Sequence, residues 1–355
     1  MRTVEWVDEG RVRLIDQRQI PWQLVYVEYD DYREIAQAIS DMVVRGAPAI
    51  GVTAAFGMAL AAKQCPALDV GSLLEFLDVA ALILKKARPT AVNLAWAVDH
   101  MMAEARDERH DRSDDIRAAL VAEARRMADA DVETNRRIAL HGAALLKDGD
   151  TILHHCNTGM LATVDYGTAL GVIRMAHEQG KRIHVLLDET RPRLQGARLS
   201  AWECEQLGIP YDIIPDTAAG YYMRRGEISY VMFGADRVAA NGDVVNKVGS
   251  YQIAVLAREN RIPCYSVFPT STIDLTMPNG DAIPIEERDP AEVRAPYGCA
   301  IVPETYRVRN PAFDMTPQKY FAGLITEVGI VLPPFGENLR KAVEGAQNAQ
   351  QGHLV

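Results

Sequence analysis

Three short runs within residues 1 to 30, VEWV, RVRLI and QLVYVEY, alternate apolar and polar positions, with Pro21 between the second and third. A period of two predicts strands. The period then lengthens. DYREIAQAISDMVV, the alanine-rich IGVTAAFGMALAAK, SLLEFLDVAALILKKA and VNLAWAVDHMMAEA space their apolar residues for helices, and DDIRAALVAEARRMADADVETNRRIALHGAALL extends the pattern over many turns.

After Gly149 the rhythm changes again. TILHHC, RIHVLLDE, YDIIPD, YVMFGAD and PCYSVFP are short apolar runs at intervals of roughly 20 to 35 residues. ATVDYGTALGVIRMAHEQG, GARLSAWECEQLG and SYQIAVLARENR separate most of them with helical patterns. Such alternation predicts an α/β fold with a parallel sheet covered on both faces. Ligands of such sheets bind beyond the carboxyl ends of the strands. Cys156, Asp188, Glu189, Asp216 and Asp236 stand at those ends. No GxGxxG or GxxxxGK[ST] loop follows any strand, so the rhythm does not imply a dinucleotide or ATP. The closing ENLRKAVEGAQNAQQGHLV is expected to fray, and no internal repeat is visible.

Composition narrows the function classes. Hydrophobic residues make up 48% and charged residues 24% of 355, enough for a sizeable core. Against 38 Lys and Arg stand 48 Asp and Glu, a formal net charge of −10. That balance argues against nonspecific nucleic-acid binding and against an anionic membrane surface. A local cluster of cations can still hold a small anion. Five cysteines without a CxxC pair suggest neither a disulfide framework nor a zinc ribbon. With no apolar leader and no apolar run of about 18 residues, the expectation is a cytoplasmic protein without a metal.

The candidate chemistry gathers around HHCNTGM. Cys156 ends a predicted strand, and the helical pattern that follows predicts that it lies at a helix N-terminus. There, unpaired amides and the helix dipole would activate a thiol; the alternative is a buried structural cysteine. His154 and His155 are adjacent and should point to opposite faces of the strand. Asp236 in YVMFGADRV is either a buried, protonated general acid, a partner of Arg237, or a helix cap. Arg45 with the amides of RGAPAIG could hold a phosphate. Arg88 in ARPTAVNL, Gln195 in RPRLQGARLS, and Asn246-Lys247 in VVNKVGS could contact the same ligand, or simply be solvated. Together these residues surround Cys156 and Asp236 with cations and amides, which suggests a small phosphorylated substrate.

The ordered set RGAPAIG, RPTAVNLAWA, HHCNTGMLAT, DYGTALGVIR, DETRPRLQGARLSAWE, GADRVAANGDVVNKVGS and NPAFDMTP resembles the methylthioribose-1-phosphate isomerases. These belong to a wider family that includes the alpha, beta and delta regulatory subunits of the initiation-factor 2B nucleotide-exchange complex. The resemblance runs from about residue 4 to Pro333-Pro334. It implies a small strand-plus-helix domain (residues 1–130), a Rossmann-like parallel-sheet domain (residues 131–355) and a site at the cleft between them. It also implies a homodimer and no cofactor. By motif position, Asp236 would donate a proton, and Cys156 would act as base or stabilise charge. Arg45, Gly46, Ala47, Arg88, Gln195, Asn246 and Lys247 would bind substrate.

The implied reaction converts 5-methylthioribose 1-phosphate to its ribulose 1-phosphate in methionine salvage. Phosphorylation at C1 locks the furanose, so an acid must first assist departure of the ring oxygen. Hydrogen then moves between C2 and C1 as a proton or as a hydride. Met160, Val164 and Asp165 stand where the family pattern has smaller residues, and VRAPYGCAIVPETYRVRNPAFD replaces a more compact segment. These departures leave the 5-substituent open: 5-deoxyribose 1-phosphate and ribose 1,5-bisphosphate are the alternative substrates. A noncatalytic regulatory subunit is the alternative of another class.

Overall fold

Strands β1 (Val4–Val7), β2 (Arg11–Ile15) and β3 (Tyr26–Tyr29) form an antiparallel sheet in sequence order, at the positions their alternation predicts. The computed structural model describes residues 1–7, 10–89 and 91–351. The chain divides into two units, Met1–Glu133 with Met160–Asp165, and Thr134–Gly159 with the residues from Tyr166 onward.

In the first unit, α1 (Tyr32–Ser40), α2 (Ala47–Gln64), α3 (Val70–Ala87), α4 (Val92–Ala105) and the first part of α5 (Ser113–Ala143) follow the sheet. Asp31 and Asp69 cap α1 and α3 by accepting the amides of Arg33 and Ser72. Every residue of α2 from Ala49 to Ala62 is buried, as expected of a helix that is apolar all round. Its small residues let neighbours come close: a Cβ on Gly57 would lie 2.9 Å from Leu84 Cδ2. The segment Met160–Asp165 completes this unit. Val164 joins its core, and Thr3 N–H donates to Val164 O at 2.8 Å. Thr3 Oγ1 and Gln17 Nε2 donate to the carbonyls of Met160 and Leu161, each at 2.7 Å.

The second unit holds the last part of α5, then β4 (Thr151–His155), α6 (Ala169–Glu178), β5 (His184–Asp188), α7 (Ala201–Leu207), β6 (Tyr211–Ile214), α8 (Ala219–Arg224) and β7 (Tyr230–Phe233). There follow β8 (Arg237–Ala239), β9 (Val244–Lys247), α9 (Ser250–Glu259), β10 (Cys264–Val267), β11 (Ile273–Asp274), α10 (Ala291–Arg294), β12 (Phe313–Thr316), β13 (Gly323–Thr326), β14 (Gly329–Val331) and α11 (Phe335–Gln351). The main sheet has the order β14-β13-β10-β7-β4-β5-β6. It is parallel except that β14 runs against β13. From β4 the chain builds outward through β5 and β6 on one side, then through β7, β10 and β13 on the other. The direction of growth reverses between β4 and β7, where open α/β sheets leave a crevice at their carboxyl ends. A smaller sheet, β11-β8-β9-β12, follows β7.

Three sequence expectations need correction. The pattern ATVDYGTALGVIRMAHEQG is not helical throughout: Met160–Ala162 is a single 3-10 turn, and α6 starts at Ala169. The strands of the smaller sheet and β13–β14 were not foreseen, because two to four residues are too few to show a period. The C-terminal segment is not frayed through Gln351. It forms α11, whose Phe335, Leu339, Ala342 and Ala346 recur at helical spacing and are buried. Residues 352–355 lie outside the described residues. No helix among the described residues is long and apolar enough to cross a membrane.

Candidate active site

In the second unit, β4 and β7 are hydrogen-bonded neighbours with His155 opposite Phe233. Cys156 is the first residue beyond β4, and Asp236 lies three beyond the end of β7. Cys156 does not sit at a helix N-terminus, contrary to the sequence expectation, because no α-helix begins between it and Ala169. Its backbone instead turns sharply into the left-handed region at φ 72°, a conformation uncommon outside glycine. Its N–H donates to Thr190 Oγ1 at 2.9 Å, and its carbonyl accepts from Ser200 Oγ at 3.0 Å. The sulfur accepts from Gln195 Nε2 at 3.3 Å. Cys65, Cys204 and Cys264 are buried, and burial pushes the Cys204 and Cys264 thiols up; Cys156 is only half-buried.

The two histidines are both fully buried and differ in charge. Burial drives His154 down to about 3, so it is neutral, and its Nδ1–H donates to Met232 O at 3.1 Å. Burial also works against a charge on His155, but the bond to Asp188 at 2.9 Å and that carboxylate's charge outweigh it and hold the imidazole up at about 9. Its other nitrogen donates to Val248 O at 3.0 Å. Burial outweighs the pull of His155 on Asp188 and raises that carboxyl to about 6, so at neutral pH both partners are charged. His155, Asp188 and Asp216 bring ligand-type atoms within 4.8 Å of one another. With both imidazole nitrogens donating, His155 has no lone pair for a metal, so the group acts as an ion pair rather than a metal seat.

Lys247 ends β9 and is buried, its ammonium donating to Ala312 O at 2.6 Å and lying 4.4 Å from the centre of the Phe313 ring. Burial and the nearby Arg288 charge lower it to about 8, against the opposing pull of Cys156 and Asp236. The thiol, the carboxylate and the ammonium therefore share one neighbourhood. Asn246 precedes Lys247 and donates from Nδ2 to Ser250 Oγ at 2.8 Å. Asp236 N–H pairs with Val245 O at 2.9 Å. Its side chain is exposed, not buried, because the chain leaves the sheet at Gly234 before reaching it. Arg237 pairs with Asp274 at 3.6 Å, and β8 rather than a helix follows Asp236, so the helix-cap reading is overturned.

The other predicted residues belong to the first unit. Gly46 is the N-cap of α2 at φ 100°, and no side chain caps that helix. A Cβ on Gly46 would lie 2.3 Å from Ala162 O, so only glycine fits. Arg45 and Ala47 flank it, half-buried, and the amides of Ala47 and Ala49 open α2. Arg88 is the half-buried C-cap of α3. It precedes α4, whose N-terminus also lacks a side-chain cap, and Asn93 O would be 3.2 Å from a Cβ on Gly51. Thr90 of the RPTAVNL motif lies outside the described residues.

The partners of Asp216, which the strand ends had already singled out, and the part played by Glu203 escaped the sequence reading. Asp216 accepts the amides of Thr190 and Arg191, both at 2.7 Å. Buried Glu203 accepts Asn157 Nδ2 at 2.9 Å, and its Oε2 would be 1.9 Å from a Cβ on Gly159. The strand-end position of Asp216 and the Gly159 of the CNTG run were the available signals. The segment that departs from the family pattern touches this site: the Arg198 guanidinium lies 4.1 Å from the centre of the Tyr297 ring, and Arg191 donates to Val293 O at 3.2 Å.

Comparison with known proteins adds to this geometry. The model of the Initiation factor 2 subunit family matches residues 43–333. The chain is 52% identical over 343 residues to a methylthioribose-1-phosphate isomerase of Geobacter metallireducens, covering 97% of this chain and 99% of that protein. It is 51% identical to one of Acetivibrio thermocellus, covering 96% and 99%. Among solved structures it resembles the 5-methylthioribose 1-phosphate isomerase of Pyrococcus horikoshii OT3, with a TM-score of 0.92, 46% identity and coverage of 97% and 96%. It also resembles the A. fulgidus translation initiation factor eIF-2B, subunit delta, with a TM-score of 0.88, 40% identity and coverage of 97% and 99%.

Proposed function

The chain belongs to the Initiation factor 2 subunit family, and from that premise we infer that it isomerises 5-methylthioribose 1-phosphate to 5-methylthioribulose 1-phosphate in methionine salvage. The observation that carries this reading is that Cys156 and Asp236 follow the ends of two neighbouring parallel strands, and that both act on the charge of buried Lys247. The family match to named isomerases over their whole length supports it.

Asp236 protonates the ring oxygen as the furanose opens. Because its side chain is exposed, this role relies on the bound sugar to exclude water. Cys156 then removes the C2 proton, exchanges it with solvent and delivers a proton to C1, while the 2-hydroxyl proton passes back to Asp236, with Gln195 holding the sulfur. Lys247 and Asn246 bind the substrate, as do Arg45, Gly46, Ala47 and Arg88. Uncapped amides at the start of α2 suit a phosphate. A Rossmann-like sheet without a nucleotide, a homodimer and a cytoplasmic location complete the proposal; light scattering tests the dimer.

Purified chain, with no other protein added, should convert 5-methylthioribose 1-phosphate faster than the 5-deoxy or 5-phospho sugars. A preference for either of those would reassign the substrate, and no turnover of any would favour a regulatory subunit. Run in deuterated water, the reaction should place solvent deuterium at C1. Its absence at partial conversion would replace the proton route by hydride transfer.

A further inference from the structure

We propose that Thr190 and Asp216 are positioning residues for Cys156, forming a clamp that fixes its main chain and its sulfur from one anchored segment. The proposal rests on the catalytic reading of Cys156 given above.

Two left-handed residues meet at this point. Cys156 has φ 72° and Thr190 has φ 63°. For a β-branched residue such a φ is an outlier that persists only where its surroundings impose it. The source of the restraint at Thr190 is visible: the two carboxylate oxygens of Asp216 each accept one amide, from Thr190 and from Arg191, at 2.7 Å. Hydrogen bonds to an ionised carboxylate are among the stronger ones.

The Thr190 side chain is fully buried and uses its hydroxyl twice. It donates to Asp188 O at 3.0 Å and accepts the Cys156 N–H at 2.9 Å. Since the hydroxyl proton is committed to Asp188, a lone pair must face Cys156, and the left-handed turn after β4 receives a fixed acceptor. The same segment then closes on itself, Leu194 N–H donating to Thr190 O at 2.9 Å. That turn delivers Gln195 Nε2 to the sulfur at 3.3 Å. A Cβ on Gly196 would lie 1.8 Å from Asp188 O, so the segment is pressed onto the end of β5. Both grips on Cys156 thus trace back to Asp216. Nothing in the assigned chemistry requires Asp216 or Thr190 to touch substrate.

The test compares Thr190→Val, which keeps the shape and loses the hydroxyl, with Thr190→Ser, which keeps the hydroxyl, and with Asp216→Asn. Turnover of 5-methylthioribose 1-phosphate by the full chain gives kcat and KM. Small misplacement of a reacting group costs up to about 100-fold, so Thr190→Val should lower kcat by roughly 10- to 100-fold with KM within about threefold, and Thr190→Ser should restore most of it. Iodoacetamide labelling of Cys156, followed by peptide mass spectrometry without substrate, should change its rate by about tenfold in Thr190→Val and Asp216→Asn, but not in Thr190→Ser. Equal kcat in the Val and Ser variants, or unchanged labelling in both Val and Asn variants, overturns the clamp. If Thr190→Val does not fold, Asp216→Asn decides by the same two measurements. Near-normal turnover by Cys156→Ala would instead overturn the catalytic reading, while the labelling result would still judge the clamp.

Discussion

Replacing Asp188 by Asn removes the counter-ion of His155 while preserving the size of the side chain. Both groups are buried at the ends of β4 and β5, so solvent does little to screen the pair. The imidazole is held at about 9 against an ordinary 6.5, and this shift corresponds to about 3 kcal/mol of folding free energy. The sign follows from the direction of the shift. A pKa raised in the folded state stabilises fully below 6.5, and the contribution drains away as pH rises through 9. Asp188, at about 6, stays ionised across that window, so of the pair only His155 titrates there. In Asp188→Asn the histidine folds neutral, and its contribution vanishes. Urea unfolding of both proteins at pH 6.5 and pH 9 reads the difference. Asn also relieves the cost of burying the Asp188 charge, which is the same at both pH values, so the stability of the parent relative to the variant should fall by about 3 kcal/mol between pH 6.5 and pH 9. Lys247 works in the opposite direction: its lowered pKa makes stability rise as pH climbs from 8 towards 10.5. That term is common to both proteins and cancels in the comparison. A gap of the same size at both pH values would refute the ion pair.

Asp236→Asn should abolish turnover while calorimetry still detects substrate binding; near-normal turnover removes the acid role. Because Lys247 titrates near 8, KM should be flat below that pH and climb above it as the ammonium is lost. Lys247→Arg should flatten the profile, and an unchanged alkaline rise would assign it to another group. Gly46→Ala meets both a left-handed φ and the backbone of Ala162, so it should cost roughly 2–4 kcal/mol by urea unfolding, and a stable variant would contradict that packing. Leu339→Ala empties a fully buried position on α11 and should cost about 3 kcal/mol, whereas a frayed segment would lose almost nothing.

The strand ends were readable because apolar runs of five residues with polar terminators leave few alternatives: β4 and β5 and the residues beyond them follow from TILHHC and RIHVLLDE. The environment of Cys156 was not. Its neighbours suggested a helix terminus, but the restraint comes from Thr190 and Gln195, which lie more than thirty residues away in sequence. A left-handed φ at a cysteine or threonine leaves no mark in composition. The exposure of Asp236 was missed for a related reason. An apolar strand argues for burial of the residues just beyond it, yet Gly234 and the turn into β8 carry the side chain out. Strands as short as β8, β9 and β12 acquire their identity from pairing with each other, and no local pattern announces them. In α11 the apolar spacing was present, but a Gln- and Glu-rich surface masked it.

The return of Met160–Asp165 to the first unit has a consequence for how the chain can be made. A ribosome releasing residues 1–133 delivers a sheet and helices whose core still lacks Val164, and whose Thr3 and Gln17 donors have no carbonyls to meet. That half can reach its final form only after the first strand of the other half has been synthesised. Maturation of the amino-terminal half is therefore timed by the carboxyl-terminal half. A fragment cut at the apparent boundary would be an unfinished folding intermediate, and gene fusion or shuffling could not move it intact into another protein.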